Sequence, residues 1–238
     1  MSKREEKKRI VKYSNQLNLN KLGFLKSVSQ DIFINILTEF NTKRSTYIEI
    51  PLSKLKEHSR LSKQTDEYFK SRLIEVHQDL LKQLIFTIMC ENGDIYSAPL
   101  FSFFVTTSDG VLRTEINEKF CEALFAAENY FTKFSTEQFI DVRGKYTKSL
   151  YRLFRKNFKG KKLITYCELK EWLCLPKNYP TNNLKRILQK SIDELKKKEI
   201  VEDVKFKFNY GTTKGRPLES IFFEYSFKNP DISEEITK

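Results

Sequence analysis

Apolar positions along this chain switch repeatedly between helical and strand spacing, and the switches set out its elements. Between Thr181 and Glu199, Leu184, Ile187, Leu188, Ser191, Ile192 and Leu195 recur at helical spacing and form one apolar face. At about 100° per residue, the opposite face holds Asn182, Asn183, Arg186, Gln189, Lys190, Asp193 and Lys197. Upstream, Thr165–Leu173 reads as a short helix and Pro176–Pro180 as a tight break. Downstream, the run from Val201 to Phe227 reads as two strands joined at a tip, Tyr210–Pro217. Short helix, turn, longer polar-faced helix and basic ribbon follow one another in the order of a winged helix-turn-helix.

The first half spells a similar order. Met1 to Lys12 reads as a flexible basic arm. A helix capped by Ser29 covers Gln30–Phe40, Tyr47–Ile50 is a strand ended by Pro51, and Leu52–His58 is a small helix. Gln64–Lys82 is a longer helix with Phe69, Leu73, Val76 and Leu80 inward. Leu84–Met89 and Ile95–Thr106 pair across a turn at Glu91–Asp94, and Ser108–Gly110 turns into a last strand, Val111–Asn117. In the second half, Gln138–Phe154 reads as one helix and Lys162–Thr165 as a strand before the helix-turn-helix. This repetition predicts an α+β chain of two tandem winged-helix domains. Their expected bounds are 13–130, a possible dimerisation unit, and 131–228, the DNA-binding domain, followed by an acidic tail over 229–238.

At 238 residues the chain exceeds the roughly 100–150 of a common single domain, so two separate cores suit its length. No apolar run approaches the ~20 residues that cross a bilayer, and the charged N-terminus lacks the apolar core of a signal peptide. A cytoplasmic protein with no membrane partner is expected. Cys90, Cys121, Cys167 and Cys174 form no C-x-x-C pair, and His58 and His77 are the two histidines, so four reduced thiols and no metal are expected.

Charge narrows the class. The formal net charge is +12, and residues 143–216 hold 21 basic against 7 acidic side chains. Residues 1–83 hold 17 and 10, residues 84–142 only 3 and 9. Two basic regions separated by an acidic one point to a polyanion, and nucleic acid is the expected one. Asn, Gln and Arg on the outward face of 181–199 can pair bidentately with adenine and guanine edges, while Lys neutralises phosphate. The acidic, aromatic-rich 84–142 stretch suits either a domain core or a dimer-forming sheet edge.

Catalytic patterns are missing. The two histidines stand far apart with no His-x-His for a metal-dependent nicking tyrosine. Gly144-Lys145-Tyr146-Thr147 lacks the upstream glycine of a phosphate-wrapping loop, and no Gly-x-Ser-x-Gly occurs. Neither an enzyme nor a cofactor is expected.

Three segments carry a resemblance: Lys145-Tyr-Thr-Lys-Ser-Leu-Tyr-Arg-Leu-Phe-Arg155, then Leu169-Lys170 with Trp172-Leu173, then Asn183 to Leu195. In this order they resemble the iteron-binding plasmid replication initiators. The opening Ile10-Val-Lys-Tyr-Ser-Asn-Gln-Leu-Asn18 is similar to the initiators of theta-replicating plasmids from Gram-positive hosts. The resemblance implies binding to direct repeats at an origin, local duplex opening, recruitment of a host helicase or its loader, and a monomer–homodimer balance. It also implies DNA contacts on the second helix of each helix-turn-helix and on the wing. In this chain those are Asn182, Asn183, Arg186, Gln189 and Lys190 at base edges. Lys177, Tyr179, Lys185, Thr212, Thr213, Lys214 and Arg216 would grip phosphate or probe the minor groove. In the first domain the outward face carries Gln64, Glu67, Ser71, Glu75 and Gln78, so Lys63, Lys70 and Arg72 beside it are the candidates there. Two other readings stay open: a winged-helix transcription regulator, and a DNA-processing enzyme.

Overall fold

The computed structural model describes residues 9–15, 17, 22–89, 93–125, 131–155, 159–213 and 215–228. Its chain forms two compact units, Met1–Leu17 with Asp31–Ile140, and Asn18–Gln30 with Asp141–Lys238. The division after Ile140 differs from the expected bounds at 130/131, because the elements just before it pair and pack with the first unit. Lys214, the tip of the first hairpin at 90–92, and the tail from 229 lie outside the described residues.

The first unit runs β1 (Ile10–Ser14), α1 (Ser27–Lys43, within the unit from Asp31), β2 (Tyr47–Pro51), α2 (Leu52–His58), α3 (Asp66–Gln83), β3 (Ile85–Met89), β4 (Ile95–Pro99), β5 (Phe101–Thr106), β6 (Val111–Ile116), α4 (Glu118–Phe125), β7 (Phe131–Ser135) and α5 (Thr136–Asp141, within the unit to Ile140). The second runs α6 (Lys145–Arg155), β8 (Lys159–Thr165), α7 (Tyr166–Trp172), α8 (Thr181–Lys197), β9 (Val201–Tyr210) and β10 (Leu218–Phe227).

Four expectations change. The arm is shorter, because Ile10–Lys12 belong to β1, which pairs antiparallel with β7. Arg9 donates to the buried Asn35 at 2.9 Å, and residues 1–8 lie outside the described residues. α1 begins at Ser27, so Ser29 sits buried inside it rather than capping it. The single strand expected over 95–106 is two, because Pro99 has no N–H to continue the ladder and Leu100 turns the chain, donating to the carbonyl of Leu84. The helix expected over 138–154 is also two. Glu194 of α8 accepts hydrogen bonds from the amides of Arg143 and Gly144 and from the Thr147 hydroxyl, drawing away groups a continuous helix would use. At Gly144 a Cβ would collide with Thr147 Oγ1 and lie 2.7 Å from Glu194 Oε2, so a larger residue would push these side chains aside.

Both units build one scheme. Their three-stranded sheets have the orders β2-β6-β5 and β8-β10-β9, with the last strand in sequence at the centre. Each first strand leads into a seven-residue helix, α2 or α7. Each of these helices ends with paired 6→1 and 5→2 backbone bonds around a left-handed residue, Arg60 (φ 57°) or Cys174 (φ 50°). Buried Phe69, Leu73, Val76 and Leu80 on α3 recur at the same spacing as Leu184, Leu188, Ser191 and Leu195 on α8. The hairpin β3–β4 is extra to the first unit, so its true wing is the short turn Thr107–Gly110 between β5 and β6. Each fully buried Leu or Phe in these cores contributes roughly 1.5–3 kcal/mol. That suffices to hold helices whose outward sides are mostly polar.

Candidate nucleic-acid interface

The second unit presents α8 through a braced turn. Thr165 caps α7, its hydroxyl accepting from the amide of Glu168 while the Glu168 carboxylate accepts from the amide of Thr165. Those bonds hold the Glu168 carboxyl below its ordinary range. From α7, the Tyr166 hydroxyl donates to the carbonyl of Tyr179 at 2.7 Å, and Lys170 Nζ donates to the carbonyl of Lys177 at 2.9 Å. Two side chains thus fix the loop that launches α8. The indole of Trp172 donates to the carbonyl of Ser149 at 2.9 Å and ties α7 to α6. α8 then starts after Pro180, and no side chain caps it.

Asn182, Asn183, Lys185, Arg186, Gln189 and Lys190 are all exposed along α8. Tyr179, Asn183, Arg186, Gln189 and Lys190 meet in one open groove of about 660 Å³, joined by Ile187 and Asp193. Sequence reasoning put Asp193 on this face without making it a site residue. It accepts from Gln189 Nε2 at 2.8 Å and so orients that amide. A carboxylate here can also accept from a cytosine amino group.

Ion pairing separates this surface from the rest of the unit. Lys196 and Lys205 pair with Asp203, Lys198 with Asp141, Lys228 with Glu199 and Lys161 with Glu224. Among the described residues, Lys177, Lys185, Arg186, Lys190 and Arg216 have no acidic partner within ion-pair distance. Cations without a carboxylate partner are free to neutralise DNA phosphates and release the counterions condensed on them.

The wing β9–β10 closes where the amide of Gly211 donates to the carbonyl of Pro217 and that of Arg216 to Thr213. Gly215 (φ 88°) and Arg216 (φ 41°) make the reversal, leaving Thr212, Thr213 and Arg216 exposed at the tip. Tyr210, at the end of β9, is placed at the tip by the sequence but not among the site residues, although the alternation Phe206, Phe208, Tyr210 marks it.

The first unit differs at the matching positions. Where α8 has Asn182, Asn183, Arg186, Gln189 and Lys190, α3 has Glu67, Tyr68, Ser71, Ile74 and Glu75, with Ile74 57% exposed. Lys63 and Lys70 are exposed, and Lys70 lines an open cleft of about 780 Å³ with Ser53, Lys56 and Ser62. Arg72 is not a free cation. It is half-buried, 2.7 Å from Glu75 and stacked over Tyr68.

Two family profiles divide the chain between them. Residues 10–155 match "Initiator Replication protein, WH1" and residues 167–225 match "Initiator Rep protein, WH2". The chain belongs to the initiator replication protein family. The family's first profile runs on through α6, which packs with α8 in the second unit. Within curated sequences, the probable replication protein rep of Bifidobacterium longum (strain NCC 2705) is 27% identical over 145 residues. That match covers 60% of this chain and 48% of the relative, so the chain spans about half the length of the curated relative it matches. Among solved structures, the Pi initiator protein in complex with iteron DNA is similar over 95% of this chain and 100% of that one. Its TM-score is 0.69 at 22% identity, a likeness of fold. The family's two winged helices correspond to the two three-stranded sheets and helix-turn-helices described above, one in each unit. Among the described residues, no group of three or more His, Cys, Asp or Glu side chains could hold a metal ion, and no helix is long and apolar enough to cross a membrane.

Proposed function

We propose that this protein binds direct repeats in duplex DNA at a plasmid origin and starts replication there without a catalytic step of its own. The observation that carries this reading is the exposed face of α8, where base-reading Asn, Arg and Gln stand among cations without acidic partners. Family membership and the fold shared with an initiator bound to iteron DNA support it. α8 reads base edges through Asn182, Asn183, Arg186 and Gln189, while Lys177, Lys185, Lys190 and Arg216 neutralise phosphates. Lys214 belongs with them by its place in the wing. In the first unit Lys63 and Lys70 grip backbone, and Glu67 and Glu75 keep phosphate away from the centre of α3. The bound protein opens the neighbouring duplex in the cytoplasm and brings in a host helicase or its loader, and a homodimer form limits initiation.

DNase I footprinting on the DNA upstream of the protein's own coding sequence tests this. Protection of several in-phase direct repeats beside an A·T-rich tract is expected. Protection of one inverted repeat alone would identify a repressor, and strand scission on adding magnesium would identify an enzyme.

A further inference from the structure

Tyr210 is 52% exposed, a large ring left in water at the end of β9. Strand alternation puts it on the same sheet face as Phe206 and Phe208, the face that packs against α7 and α8. These rings form a ladder that begins in the closed core. Phe223, fully buried, lies 6.2 Å from Phe206, Phe206 lies 5.7 Å from Phe208, and Phe208 meets Tyr210 edge-on at 6.3 Å.

A second feature coincides with it. The β9–β10 register shifts between Leu218 and Ser220. Leu218 opposes Tyr210, Ser220 opposes Asn209, and Glu219 is left as the extra residue of a bulge. A bulge steepens the local twist and re-aims the side chains beside it. The hairpin closes immediately beyond, where Gly211 donates to Pro217. The Tyr210 hydroxyl has no hydrogen-bond partner among the described residues. Thr212, Thr213 and Arg216 follow at the tip, so an open ring stands next to groups suited to phosphate and sugar.

Resting on the DNA-binding reading above, we propose that Tyr210 is a wedge that enters a base step beside the bound repeat and unstacks it. A base pair levered out of its stack pushes back, and a ring on a slack loop would yield. This ring is buttressed through Phe208 and Phe206 into the core, so the reaction force passes into packed structure. Base faces stack readily on aromatic rings, and pyrimidine–purine steps part most easily. Leu163, the other large exposed apolar side chain among the described residues of the unit, lies on the opposite sheet face and cannot take this role. The first unit's wing offers Ser108 and Asp109 at its turn and no ring. Unstacking therefore belongs to one wing, and opening starts on one side of each repeat.

Permanganate oxidises thymines that are unstacked in duplex DNA, which gives the test. The full chain is saturated onto the origin duplex found by footprinting, and thymine reactivity is mapped at single-nucleotide resolution. Wild type and Tyr210→Phe should each expose a hyperreactive thymine at the wing-side edge of a repeat. Tyr210→Ala should lose it, bind the repeat about tenfold more weakly, and melt at the wild-type temperature. Persistence of the hyperreactive thymine in Tyr210→Ala overturns the proposal, and so does its absence in a wild-type protein that still prefers the repeat. A wild-type protein with no preference for repeat over random duplex overturns the DNA-binding reading itself.

Discussion

Arg186 stands on the exposed side of α8 with no acidic partner within ion-pair distance among the described residues, while Leu184 and Leu188 on the same helix are fully buried. Its planar guanidinium can span O6 and N7 of one guanine, a geometry lysine does not share. Arg186→Ala should cost on the order of 1–3 kcal/mol at a single G·C pair and relax preference there, measured by binding to a set of single-substituted repeats. Thermal stability should barely move, since nothing in the folded chain leans on this side chain. Equal weakening on every sequence would make Arg186 a phosphate contact and shift base reading to Asn182, Asn183 or Gln189. His77 is a different kind of residue. It stacks on Phe104 at 4.4 Å, its Nε2 has no partner among the described residues, and burial pushes its pKa down to about 4. Above its ordinary 6.5 the ring is neutral whether folded or unfolded, so it adds no pH dependence there. Between 6.5 and about 4 only the unfolded chain takes the proton, and stability falls with pH by at most on the order of 3 kcal/mol. His77→Phe should flatten that part of a stability–pH curve obtained from urea melts. An unchanged slope would show that another group sets it.

At the scale of elements, the join between α6 and α8 matters more than any surface ion pair. Glu194 receives three donors, two amides and a hydroxyl, at the start of α6, where the helix dipole also favours a negative charge. Glu194→Ala leaves those donors without this acceptor and should destabilise the protein by about 1–3 kcal/mol, seen as a lower urea midpoint. Glu194→Gln keeps one acceptor and should lie between the two. If neither change moves the midpoint, water replaces the carboxylate without cost. The turn between α7 and α8 is built in the same way, with Tyr166 and Lys170 holding carbonyls of the loop. Both therefore set where Asn182 and Asn183 begin.

For the whole molecule, charge is the property to measure. Binding to duplex DNA should weaken steeply with salt, by roughly −0.9 in log affinity per log salt for each phosphate contact. Lys177, Lys185, Lys190 and Arg216 together give a slope steeper than roughly −3. Lys185→Ala should reduce it by about one contact's share, on repeat and random DNA alike. A flat salt dependence would remove these cations from the interface. The two units share a scheme but not a surface, since Ile74 and Glu75 stand where Gln189 and Lys190 do. The proposed base-reading side chains therefore belong to the second unit.

Periodicity alone determined the helices α2, α3, α7 and α8, their buried stripes and the two-module plan, because each depends on which residues must leave water. α2 was legible to the residue, since Pro51 and the run that follows admit one helix start. The outward face of α8 was equally legible, as the complement of its apolar stripe. Other features depended on partners remote in sequence. The break at Val142–Gly144 is set by Glu194 on another helix. The split at Leu100 needs the carbonyl of Leu84, and β1 needs β7, more than a hundred residues away. Whether a cation is free is likewise a tertiary matter. Lys196 and Lys205 are neutralised by Asp203 of β9, which the helix pattern alone does not show, whereas the Arg72–Glu75 pair is a local one at i,i+3. Tyr210 became visible as a candidate because exposure and a bulge are properties of paired strands, which no single strand contains.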